Sequence, residues 1–137
     1  MSKKNLSILG ESHTEYPQKP EDANLEAFSN PSAGNDYWIE FETSEFTSLC
    51  PVTSQPDFAT IKISYIPGKK CIESKSLKLY LFSYRNHKGF AEEIVNRMLK
   101  DLVKACRPKT ARVEGFFTPR GGISIKVKAE YEKGEDE

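Results

Sequence analysis

The stretch Phe90-Ala91-Glu92-Glu93-Ile94-Val95-Asn96-Arg97-Met98-Leu99-Lys100-Asp101-Leu102-Val103-Lys104-Ala105-Cys106 governs how the rest of the chain is read. Ile94, Val95, Met98, Leu99, Leu102 and Val103 form an i, i+4 stripe, while Glu92, Glu93, Arg97, Lys100 and Asp101 fall largely elsewhere. That period predicts an amphipathic helix with one face to bury. Pro108 stops it, because its ring nitrogen has no proton to donate. A one-sided helix needs a layer to lie on, and both flanks supply strands.

On the C-terminal side, Ala111 and Val113 lead into Gly115-Phe116-Phe117. Ile123, Ile125, Val127 and Ala129 then alternate with Ser124, Lys126, Lys128 and Glu130. The connection Thr118-Pro119-Arg120-Gly121-Gly122 has the glycines of a tight hairpin. On the N-terminal side, Tyr37, Ile39 and Phe41 alternate with Trp38, Glu40 and Glu42, and Ala59, Ile61, Ile63 and Tyr65 alternate with Thr60, Lys62 and Ser64. Between these two strands, the proline- and hydroxyl-rich segment 47–56 reads as a loop. After the turn signal Ile66-Pro67-Gly68, the segment 73–82 reads as a short helix carrying Leu77, Tyr80 and Leu81, capped by Ser74 or Ser76. The order ββααββ predicts an α+β fold, a four-stranded antiparallel sheet with two helices on one face. Such a sheet has open edges, and oligomerisation is one remedy.

The chain has 137 residues, which suits one domain. Residues 1–34 read as an arm that is mobile or packed on a neighbour, 35–131 as the folded domain, and 132–137 as a charged tail. Lys+Arg and Asp+Glu are each 20, so no bulk charge recommends a nucleic acid or an anionic membrane as partner. Apolar residues are 37% with a mean hydropathy of -0.60, and no run approaches a membrane span or a signal peptide. Cys50, Cys71 and Cys106 are too scattered for a disulfide framework or, with only His13 and His87, for a zinc site. A reducing cytoplasm is the expectation, and no metal.

Three groups of residues are candidates for chemistry. Cys50 sits in the loop between two strands, and Asp57 at the mouth of the next strand can fold back towards it. A thiolate is a nucleophile and a neighbouring carboxyl can exchange its proton, although most cysteines at such a distance from an aspartate do nothing. Lys75 and Lys78 lie on one helix face, as phosphate ligands or simply as a solvated face. Glu92, in a first helical turn, either answers the helix dipole or accepts two N–H donors from a purine-like edge. There is no GxGxxG and no P-loop.

Together the segments Phe46–Pro51, Gln55–Thr60, Glu73–Tyr80, Arg85-Asn86-His87 and Phe117–Ser124 resemble the single-module QueF group. These are NADPH-dependent 7-cyano-7-deazaguanine reductases of the tunnelling fold, relatives of GTP cyclohydrolase I. The resemblance covers about residues 35 to 127, and Glu73–Tyr80 is the family's own signature. It implies four-electron reduction of a nitrile to a primary amine in queuosine biosynthesis for tRNA, with two NADPH consumed. Cys50 would form a covalent thioimide and Asp57 would act as general acid. Ile72, Glu73, Ser74, Ala91 and Glu92 would line the deazaguanine pocket, and Lys75, Lys78 and Arg120 would meet the NADPH phosphates. The fold would join sheets edge to edge into a barrel of stacked rings, with sites between subunits and no direct contact with nucleic acid. One residue departs from the pattern: Phe90-Ala91-Glu92 stands where the family has Phe-His-Glu, and alanine relays no proton. The alternatives weighed are a non-catalytic purine- or pterin-binding scaffold and an amidine-forming relative acting on deazaguanine in tRNA. The kept cofactor signature disfavours the latter.

Overall fold

The computed structural model describes residues 15–134. In chain order these form β1 (Ala27–Ser29), β2 (Ile39–Leu49), β3 (Pro56–Ile66), β4 (Lys70–Ile72), α1 (Ser74–Phe82), α2 (Ala91–Cys106), β5 (Thr110–Arg120) and β6 (Ile123–Glu132). The long strands make one antiparallel sheet in the order β2-β3-β5-β6. Its core face carries Ala59, Ile61, Ile63 and Tyr65 of β3 and Ala111, Val113 and Phe117 of β5. The α2 stripe, from Ile94 to Cys106, closes over them. Gly115 makes this approach possible, because a Cβ there would stand 2.7 Å from Val95 Cγ2. The α+β order and the helical stripe thus stand as expected.

Three local expectations need correction. First, the segment 47–56 is mostly strand: β2 runs to Leu49, β3 starts at Pro56, and only six residues are left as loop. A bulge between Thr43 and Phe46 adds a residue, so the inward side chains change from odd (Ile39, Phe41) to even (Phe46, Ser48). That parity change hides the strand from an alternation test. Second, neither Ser74 nor Ser76 caps α1. Glu73 does, accepting from the N–H groups of Lys75 and Ser76, both at 2.8 Å. Third, the hairpin turn is only Gly121-Gly122, with φ of 59° and 80°, a pair of left-handed residues that suits a two-residue turn.

Residues 15–34, expected as a mobile or neighbour-packed arm, lie on their own chain. β1 pairs with β4 in a two-stranded ribbon, Arg85 donates to the Pro17 carbonyl at 2.8 Å, and Arg97 pairs with Glu21 at 2.5 Å. Partners that lie 41 to 76 residues away leave no local pattern to read. At the other end, β6 includes Glu132 and the Lys133 N–H donates to the Lys109 carbonyl at 3.0 Å. Residues 1–14 and 135–137, with the rest of the expected arm and tail, lie outside the described residues. On the helix-free face, Glu42, Lys62, Glu114 and Lys128 line up in register across all four strands, a row of alternating charge.

Candidate active site

The Cys50 loop is short because both of its ends are tied. The Cys50 N–H donates to the Gln55 carbonyl at 2.8 Å and the Ser54 N–H returns to the Cys50 carbonyl at 2.9 Å, with Ser54 left-handed at φ 62°. One residue earlier, the Leu49 N–H donates to the His87 carbonyl at 2.9 Å, and the Gly89 N–H donates to the Leu49 carbonyl at 3.2 Å. This splice sets the segment 87–89, and hence the start of α2, beside the loop. The half-buried Cys50 sulfur accepts from the Thr53 hydroxyl and from the N–H groups of Thr53 and Val52. These donors favour the thiolate and draw the thiol below its ordinary 9.0, against burial and the Asp57 charge, which push it up.

Asp57 is paired with Ser48 across the β2–β3 ladder. Directly opposed residues share a face, so its carboxyl stands on the helix-bearing side, in the row above Phe46 and Ala59. Arg120, at the end of β5, grips this corner twice: its Nε lies 2.7 Å from Asp57 Oδ1 and its Nη2 donates to the Pro56 carbonyl at 2.8 Å. Beneath them the Ser48 hydroxyl is fully buried, with no hydrogen-bond partner among the described residues. Ala91 opens α2, half-buried, and Glu92 is exposed in its first turn. Phe90, just before the helix, is 58% exposed. The His87 ring is already engaged, 3.0 Å from Glu93 and edge-on to Tyr84.

The remaining predicted residues lie elsewhere. Ile72 is buried, and its N–H donates to the Tyr65 hydroxyl at 2.9 Å. Tyr65 is eight residues along β3 from Asp57, about 26 Å at strand rise. Glu73 follows Ile72, buried, with both carboxylate oxygens taken by its own helix. Ser74 and Lys78 are exposed on α1, and Lys75 is half-exposed. Glu73 occupies the Lys75 and Ser76 N–H groups that an anion at this helix end would otherwise meet. Between α1 and β2 runs an apolar cleft of about 560 Å³, whose lining includes Phe41, Phe46, Leu77, Lys78 and Arg85. One chain therefore carries two clusters. Cys50, Asp57 and Arg120 meet at one end of the sheet, and the Leu49 splice sets the start of α2, with Ala91 and Glu92, on the side of that loop; Ile72, Glu73, Ser74 and Lys75 gather at the other.

Sequence reasoning missed Thr53 and the splice at His87–Gly89. The hydroxyl-rich loop was visible, but which hydroxyl reaches the sulfur depends on a left-handed Ser54 that sequence does not announce.

Comparison with known proteins bears on this geometry. A family model described as QueF-like protein matches residues 56–136. An NADPH-dependent 7-cyano-7-deazaguanine reductase of Bacteroides thetaiotaomicron is 59% identical over 129 residues, spanning 94% of this chain and 85% of that protein. One of Streptococcus mutans is 59% identical over 128 residues, spanning 93% of this chain and 79% of that protein. Among solved structures, the apo form of the archaeosine synthase QueF-Like superposes with a TM-score of 0.64 at 24% identity, covering 68% of this chain and 91% of that one. At that identity the likeness concerns the fold alone.

Proposed function

The chain belongs to the QueF-like family, and on that footing we propose that it is an NADPH-dependent 7-cyano-7-deazaguanine reductase of queuosine biosynthesis, using Cys50 as nucleophile and Asp57 as acid. The observation that carries the residue roles is the Cys50 thiol, held towards its thiolate by three donors of its own loop, with a carboxyl on the neighbouring strand. A nitrile carbon accepts hydride poorly. Addition of the Cys50 S–H across the C≡N bond, the thiol proton passing by way of the Asp57 carboxylate to the nitrogen, yields a thioimide that accepts it well. The first reduction leaves a hemithioaminal; departure of the Cys50 thiolate gives an imine, and the second reduction gives the amine. NADPH, when bound, supplies one hydride to each step. Its phosphates suit Lys75 and Lys78, two cations one turn apart at the start of α1. Glu92 and the exposed Phe90 ring offer a carboxylate and a stacking face to a planar guanine-like base.

The catalytic unit is residues 35–131 with 15–34 strapped to it. It works as a homo-oligomer whose sites take the Cys50 cluster from one copy and the Ile72–Lys78 cluster from the next. Two features support this: the separation of about 26 Å along β3, and the charges at the two sheet edges. Glu40 and Glu42 sit on β2, and Lys126 and Lys128 on β6, so the edges of successive copies are complementary. No helix among the described residues is long and apolar enough to cross a membrane, and the unpaired cysteines support a cytoplasmic site of action.

Incubation with the nitrile should add its mass to the peptide carrying Cys50, and each nitrile should consume two NADPH. An unmodified peptide at saturating nitrile would remove the covalent step. Nitrile binding without NADPH oxidation would return the protein to the scaffold reading.

A further inference from the structure

Asp57 raises a difficulty for its neighbour. A carboxylate within electrostatic reach of Cys50 opposes a second negative charge there. Yet the carboxylate is not bare, because Arg120 holds it at 2.7 Å and braces itself on the Pro56 carbonyl with another nitrogen. The grip is set by the fold. The irregular pairing between Phe117 and Arg120 and the Gly121-Gly122 turn bring the end of β5 over the first residues of β3. We propose that Arg120 is a positioning residue: through its ion pair with Asp57 it screens Cys50 from the carboxylate charge and keeps the thiol reactive before substrate arrives. This rests on the reading of Cys50 as the nucleophile, but it concerns the thiol itself and is measured without turnover.

The other titratable groups on the elements flanking the Cys50 loop are His87 and Lys88 on the spliced segment and Glu92 and Glu93 at the start of α2. All stay constant in the variants below. Cys71 and Cys106 are buried, and burial pushes the Cys106 thiol up to about 12, so the Cys50 peptide reports alone.

The experiment follows iodoacetamide labelling of the Cys50 peptide by mass spectrometry against pH in the intact protein. Alkylation tracks the thiolate fraction. In Arg120→Gln the midpoint moves to higher pH, and labelling at pH 7 slows about three- to tenfold. Arg120→Lys, which keeps the charge, recovers most of that rate. The deciding variant is Arg120→Gln combined with Asp57→Asn, which should label within about twofold of Asp57→Asn alone, since no carboxylate remains to be screened. An Arg120→Gln rate equal to that of the parent overturns the proposal. So does a double variant as slow as Arg120→Gln, or equal slowing in the Lys and Gln variants, since these mark a purely structural role. If these variants behave as expected but the nitrile adds no mass to Cys50, the nucleophile reading fails while the electrostatic one stands.

Discussion

At the Cys50 end of the sheet, polar side chains look outward and share partners across three elements: the β2–β3 loop, β3 and the tip of β5. At the start of α1 the corresponding groups are spent within a single turn, where Glu73 takes two N–H groups and is buried. The first arrangement leaves a thiol, a carboxyl and a guanidinium that a ligand can recruit. The second leaves a rigid stub with lysines projecting from it. Reactivity and rigidity are thus divided between two places that one chain keeps apart.

The sharpest way to break the comparison is to give each defect to a different subunit. Cys50→Ala and Lys75→Ala/Lys78→Ala should each be inactive or nearly so. Mixed and reassembled at equal amounts, they should regain about a quarter of parental activity, because a random ring places two intact halves together at one interface in four. No recovery in verified mixed oligomers would mean that each site is built within one chain. A second pair of variants separates chemistry from scaffold. Asp57→Asn should lower turnover by about 10²–10⁴-fold. Its thermal stability should change little, because the Arg120 pair it weakens is open to solvent on the arginine side. Glu73→Ala should cost about 1–2 kcal/mol of stability, read as a lowered unfolding midpoint, since it removes a cap and bares two buried-end N–H groups. The smallest effect is expected at Ala91→His. Restoring an imidazole at the first residue of α2, beside the Cys50 loop, should raise turnover by up to about tenfold with NADPH affinity unchanged. An unchanged rate would show that proton delivery there does not limit this protein.

Much of this is legible in the sequence alone. The α2 stripe names its own buried face, since Ile94, Val95, Met98 and Leu102 are all buried as the period requires. The hairpin at Gly121-Gly122 follows from two adjacent residues that accept positive φ. The extension of β2 to Leu49 was not legible, because one bulged residue reverses which side chains face inward. Nor was the packing of residues 15–34, where a three-residue strand finds its partner at Lys70–Ile72. Cys71 is a buried member of that pairing.

Local chemistry by itself determined the helix period, the turn glycines and the residue types able to form and protonate a covalent adduct, since each depends on neighbours within a few positions. Only the tertiary structure decided that Arg120 meets Asp57 across 63 residues, that Thr53 reaches the sulfur, and that the Glu73 carboxylate is committed to its own helix. The reason is physical: a side chain's charge and hydrogen-bonding capacity travel with its identity, but its partner is chosen by packing that brings distant segments together.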